Sequence, residues 1–229
     1  MKYFIGFFIW VLIASGWPIA TEQLVAAQDS KPRRADIRIE HDVLAEDRPV
    51  QEIFLDVLRG TGLHAGFVEI AGCSDLPKGG LQIKQGVTVG QAMDALVAAN
   101  PGYQWELRDG VVNLMSQGGA PLLNTRIGKF QMEATDRELS IFFQNLMRLP
   151  EVQERETALG LAPGVGQGGP PSGNQIRPAP IAIRIDVQNL TIQDAFNKIV
   201  QTSPKGGWFY YETDCNGTKT FTVLATSGY

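Results

Sequence analysis

Two cysteines and two histidines in 229 residues are too few, and too widely spaced, for a zinc ribbon or any tetrahedral His/Cys centre. An excess of positive charge is also missing. Twenty Lys and Arg stand against twenty-four Asp and Glu, and the net charge of −4 argues against a protein that lives on phosphate contacts with nucleic acid. No Gly-x-Ser-x-Gly elbow surrounds Ser15, Ser74, Ser116 or Ser172, and no carboxylate pair is placed as a general acid and base, so no catalytic constellation is legible. The run Gly164-Val-Gly-Gln-Gly-Gly-Pro-Pro follows no apolar strand. Its prolines stand where a phosphate-binding helix would begin, so it fails as a nucleotide loop and reads as a flexible insertion. His41 and His64 have no partner at ligand spacing and read as surface or packed side chains. No cofactor and no metal are expected.

One long apolar run is present, Phe4 to Ala14, after Lys2. It has the length of an export-signal core and is too short for a comfortable membrane span. Val25-Ala26-Ala27 supplies small residues for a cleavage site, which places cleavage after Ala27, with Ala14 to Ala20 as the fallback region. An uncleaved signal anchor is the alternative. Removal of residues 1–27 takes away one cation, Lys2, and one anion, Glu22, so the charge of −4 belongs to the exported part. The remaining chain, 44% hydrophobic overall, is composed as a folded globular protein with no further span.

Four segments carry apolar residues at helical spacing in an identical register. They are Val50, Ile53, Phe54, Val57, Leu58; Val89, Ala92, Met93, Leu96, Val97; Leu139, Phe142, Phe143, Leu146, Met147; and Ile192, Ala195, Phe196, Ile199, Val200. A shift of 89 residues carries Val50 onto Leu139 and also Asp47-Arg48 onto Asp136-Arg137, read as helix N-cap and first-turn residues. A shift of 103 carries Val89 onto Ile192, and with it Thr88 onto Thr191, Pro101 onto Pro204 and Trp105 onto Trp208. The chain is therefore read as two copies of one unit. The 14 extra residues of the second copy fall in the Gly/Pro-rich stretch Gly160 to Pro180.

The expected class is α+β: two tandem βαβ-type units, each with two helices packed on small sheets. The organisation is a signal peptide 1–27, a linker 28–36, unit one 37–116, a linker 117–126, unit two 127–225 with a flexible insertion 151–180, and a tail 226–229. In unit one the predicted elements are a strand Ile37–Val43, a helix Pro49–Gly60, strands His64–Ile70 and Leu81–Gln85, a helix Val89–Ala99, and a hairpin from Trp105–Leu107 through Asp109-Gly110 to Val111–Met115. Asp-Gly is the type I′ turn signal. Thr88 with Gln91, and Thr191 with Asp194, have capping-box spacing. The second hairpin is expected to be longer, through Asp214-Cys215-Asn216-Gly217.

The stretch Leu81-Gln-Ile-Lys-Gln-Gly-Val-Thr-Val-Gly-Gln-Ala-Met-Asp-Ala-Leu-Val, with Tyr103-Gln-Trp-Glu-Leu-Arg-Asp-Gly-Val-Val-Asn-Leu after it, resembles the short periplasmic N-terminal domain shared by secretins and TonB-dependent transducers. Residues 37–115 follow that pattern well; the second copy follows it from Ile183 to Val223. The resemblance implies a periplasmic module that docks onto other proteins, an anti-sigma regulator in the transducers, neighbouring subunits or inner-membrane components in the secretins. No barrel, plug or secretin sequence follows within these residues, so only docking onto an envelope protein carries over. The alternative is a periplasmic small-molecule or glycan-binding protein with a site between the units. Asn189-Leu-Thr and Asn216-Gly-Thr are glycosylation sequons only in a eukaryotic host.

Two pairs of residues stand out as sites. Cys73 and Cys215 in an oxidising compartment are read as a disulfide tying the middle of unit one to the hairpin of unit two; separate thiols and an intermolecular bridge stay open. Phe209 and Tyr211 lie on the hairpin face opposite Trp208 and Tyr210, where unit one has Glu106 and Arg108. Either unit one or the insertion covers these aromatics, or they form a partner-binding surface.

Overall fold

The structure, a computed structural model, describes residues 34–73, 76–135, 139–164 and 182–226. The export segment 1–27, the pair Asp136-Arg137 and the Gly/Pro-rich residues 165–181 lie outside the described residues. The N-terminal half runs β1 (Val43–Pro49), α1 (Val50–Leu58), β2 (His64–Ala71), β3 (Lys78–Ile83), α2 (Val89–Ala99), β4 (Tyr103–Arg108) and β5 (Val111–Ser116). The C-terminal half runs β6 (Arg126–Thr135), α3 (Leu139–Met147), α4 (Pro150–Leu159), β7 (Leu161–Pro163), β8 (Ala182–Thr191), α5 (Ile192–Val200), β9 (Gly207–Cys215) and β10 (Thr218–Thr226). The class is α+β.

The helices form where apolar spacing demands them. Val50, Ile53, Phe54, Val57 and Leu58 of α1 are all buried, as are Leu139, Phe142, Phe143, Leu146 and Met147 of α3. Thr88 starts α2 with a complete capping box: its hydroxyl accepts the Gln91 N–H, and the Gln91 side chain accepts the Thr88 N–H. Thr191 caps α5 through the Asp194 N–H.

Several expectations are corrected. The first strand lies at Val43–Pro49, not Ile37–Val43; Ile37 and Ile39 instead exchange backbone hydrogen bonds with the turn at Gly86–Val89. Asp47 is not an N-cap: it sits inside β1 at φ +52°, where the register with β3 shifts, and Pro49 precedes α1 without a side-chain cap. The insertion expected at 151–180 begins as an ordered helix, α4, opened by Pro150 and closed by Gly160 at φ +67°. The second hairpin is longer than the first, with strands of 9 residues against 6, as expected, but its turn is not longer. Cys215 pairs with Thr218 around Asn216-Gly217, both at positive φ, as Arg108 pairs with Val111 around Asp109-Gly110. The segment 117–126 is no exposed linker, since Ala120, Leu122 and Leu123 are buried in the core.

The same pairings occur twice. β1 and β3 form a two-stranded antiparallel sheet, and so do β6 and β8. β4 pairs antiparallel with β5 and β5 parallel with β2; β9 pairs antiparallel with β10 and β10 parallel with β7. These two three-stranded sets are not separate sheets. β2 and β9 pair in parallel from Ala65↔Gly207 to Ala71↔Thr213, giving one six-stranded sheet in the order β4-β5-β2-β9-β10-β7.

Strand directions and faces fix how the halves are related. β5, β2 and β9 run one way and β4, β10 and β7 the other, so the second set is the first turned end for end, with its order along the sheet preserved. One core gathers α1 and α2 on the face of Phe67, Val112 and Leu114. The other gathers α3 and α5 on the opposite face, over Val68, Val111, Trp208 and Tyr210. A half turn about an axis across the strands produces both reversals at once. Each layer of helices therefore overlaps the junction from its own side.

Candidate functional site

The junction between β2 and β9 is where the expected site residues meet. Phe209 is next to Phe67 in the ladder, their rings 6.5 Å apart, and is only 4% exposed. The Tyr211 ring lies 6.0 Å from Phe67, and its hydroxyl donates to the Gln51 side chain of α1. Burial pushes the Tyr211 hydroxyl above its ordinary value, with the Glu69 carboxylate adding to the effect. Phe209 and Tyr211 thus form no free partner-binding surface: the N-terminal half covers them. Trp208 and Tyr210 point the other way, into the helices of their own half. The Trp208 indole donates to Asn197 of α5 at 2.8 Å and lies against Phe196.

Gly66 explains the close fit. It faces Trp208 across the ladder, and a Cβ at this position would come within 2.8 Å of the indole ring and strike the Asn113 side chain. Backbone and ring can meet here only over glycine. Cys73 and Cys215 are joined in a disulfide with Cα atoms 4.8 Å apart, just past the last paired residues, Ala71 and Thr213. The bridge pins the register of the junction. His64 and His41 join no ligand set. No cluster of His, Cys, Asp or Glu among the described residues is fit to hold a metal ion.

On β4, Glu106 and Arg108 occupy the positions that Phe209 and Tyr211 occupy on β9. They knit the halves together by charge. Arg108 reaches Glu106 and Asp194 of α5 at 3.1 Å each, and Gln193 donates to Glu106 at 3.1 Å. Burial works against the guanidinium charge, and Asp194 and Glu106 outweigh it, holding Arg108 above the ordinary arginine value.

β4 is the outer strand at one end of the sheet. In a two-residue hairpin closed by Arg108 and Val111, the backbone groups of Gln104, Glu106 and Arg108 turn to β5. Those of Trp105 and Leu107 therefore turn outward. A cleft of about 540 Å³ lies over the sheet face that carries Glu106, lined by Gln104, Trp105, Glu106, Met115, Leu123 and Gln193 among others. The other end of the sheet is blunted, because β7 is three residues long and ends in Pro163. A third feature is a buried carboxyl, Glu69, which accepts hydrogen bonds from the Tyr103 and Ser116 hydroxyls; burial raises its pKa against those bonds.

No protein-family model, no curated protein and no solved structure matches this chain. No helix among the described residues is long and apolar enough to cross a membrane.

Sequence reasoning isolated Phe209, Tyr211, Cys73 and Cys215, and the structure brings all four to one junction. It missed the outward backbone of Trp105 and Leu107. The Asp-Gly turn held that information, since it fixes which residues of β4 face away from β5.

Proposed function

We propose that this chain is an exported, non-catalytic docking module of the bacterial cell envelope, made of tandem copies of one βαβ-type unit. It binds a neighbouring envelope protein by strand addition at the free edge of β4. One observation carries this reading: β9, the counterpart of β4, already takes a strand from the other half in parallel across the same edge. What β9 does inside the chain, β4 is placed to do with a partner. The apolar leader and the Cys73–Cys215 bridge support an oxidising, exported setting.

The test is a cross-linked pulldown from the cell envelope with the exported chain, beside Leu107→Pro. That substitution removes one outward N–H and no β4–β5 ladder bond. Capture of a discrete protein that Leu107→Pro loses, with its circular dichroism unchanged, is the expected result. Equal capture by both chains contradicts docking at β4. No specific capture moves the weight to a small ligand between the halves.

A further inference from the structure

Trp105 and Trp208 are held in the same way in the two halves. The Trp208 indole on β9 donates to Asn197 of α5 at 2.8 Å, and the Trp105 indole on β4 donates to Asp94 of α2 at 2.9 Å. The 103-residue shift that carries Trp105 onto Trp208 also carries Asp94 onto Asn197. Strand, helix and ring hydrogen bond are one arrangement made twice.

On β9 this arrangement dictates the neighbouring strand. The residue beside Trp208 in the ladder is Gly66, and a Cβ there would come within 2.8 Å of two carbons of the indole ring. The ring has no room to retreat, because it lies 5.4 Å from Phe196 and is 0% exposed. Only glycine lets a backbone run past it.

Trp105 has the same place on β4. Its backbone groups turn outward, as those of Trp208 turn to β2. No strand among the described residues pairs on that side, and the ring is half-buried where Trp208 is fully buried. A strand that joins β4 therefore meets the Trp105 ring as β2 meets Trp208.

We propose that the partner segment docking on β4 is an extended strand that presents glycine to Trp105. This rests on docking at β4 and adds its specificity. Hydrogen bonds to the backbone of Trp105 and Leu107 give affinity with little regard to sequence, and the ring rejects any strand with a side chain at the one position it overhangs. Asp94 acts as a positioning residue for the ring. Glycine is depleted in strands, so the demand for it also keeps most exposed apolar strands off this edge.

The probe is a phage-displayed library of random octapeptides, selected on the exported chain and separately on its Leu107→Pro variant. Peptides taken by the natural chain and lost on Leu107→Pro are expected to share a glycine at one position. Resynthesised with alanine there, such a peptide is expected to bind about tenfold more weakly, since its methyl group is forced against a held ring. Trp105→Leu removes the ring and should abolish that difference; Asp94→Ala, a change at an exposed position, frees the ring and should narrow it. Peptides lost on Leu107→Pro that share no glycine overturn the glycine rule and leave docking at β4 standing. So does an alanine penalty that is equally large in the natural chain, Trp105→Leu and Asp94→Ala. If no selected peptide is lost on Leu107→Pro, both the rule and docking at β4 fail.

Discussion

Cys73 and Cys215 stand 142 residues apart, the same offset that separates Ala65 from Gly207 and every other pair of the β2–β9 ladder. The disulfide is thus a covalent rung of the junction, two residues beyond Ala71 and Thr213. Any slip of β2 against β9 breaks that match, so one bond fixes both the contact between the halves and its register.

The double substitution Cys73→Ser/Cys215→Ser is expected to keep the fold and to lose about 2–5 kcal/mol of stability, since the bridge closes a very long loop of unfolded chain. Urea unfolding measures it. Reducing agent should bring the natural chain to the same midpoint and leave the variant unmoved.

Gly66→Ala tests the fit at the centre of the junction. The new methyl group meets the Trp208 ring and the Asn113 side chain, and overpacking of this kind costs about 1–3 kcal/mol. A lowered urea midpoint with a shifted Trp fluorescence maximum is the expected outcome. An unchanged midpoint means that the two strands stand further apart than described.

Phe209 and Tyr211 act in stability. Phe209→Ala is expected to cost about 3–5 kcal/mol, the range for a buried aromatic. Tyr211→Phe, which removes only the hydroxyl bonded to Gln51, should cost about 0.5–1.5 kcal/mol. Thermal unfolding separates the two. If Phe209→Ala is as stable as the natural chain, the ring is not in the core.

The buried acids give stability a definite pH slope. Burial raises the pKa of both Glu69 and Glu156 above the ordinary 4.5, so the folded state favours their neutral forms. Their contribution is complete below the ordinary value and is lost as pH rises through the raised values. Unfolding midpoints measured upward from pH 4 should fall across that window, and Glu69→Gln should flatten the fall. A flat profile shows that both groups ionise as easily folded as unfolded, and a slope of the opposite sign that they ionise more easily folded.

Much of this fold is legible in residue spacing, because helices are local. The apolar registers Val89–Val97, Leu139–Met147 and Ile192–Val200 all fall within helices, and Thr88 and Asp109-Gly110 mark a cap and a turn. α4 was not legible by the same signal, since only Val152 and Glu156 of that helix are buried and no apolar stripe forms. Pro150 and Gly160 did bracket it. The shared sheet left a single trace, the exchange of Glu106 and Arg108 for Phe209 and Tyr211. A pairing of strands 142 residues apart has no local signature, so that trace pointed to a covered face without naming the cover.

Site-specific photo-crosslinking most directly tests docking at the sheet edge, with the reactive group placed in turn at Gln104 on β4 and at Lys129 on β6, both exposed. In living cells the Gln104 position is expected to trap one discrete envelope protein that the Lys129 position does not, with the product lost on Leu107→Pro. The same products from both positions, or a Gln104 product that survives Leu107→Pro, contradict it.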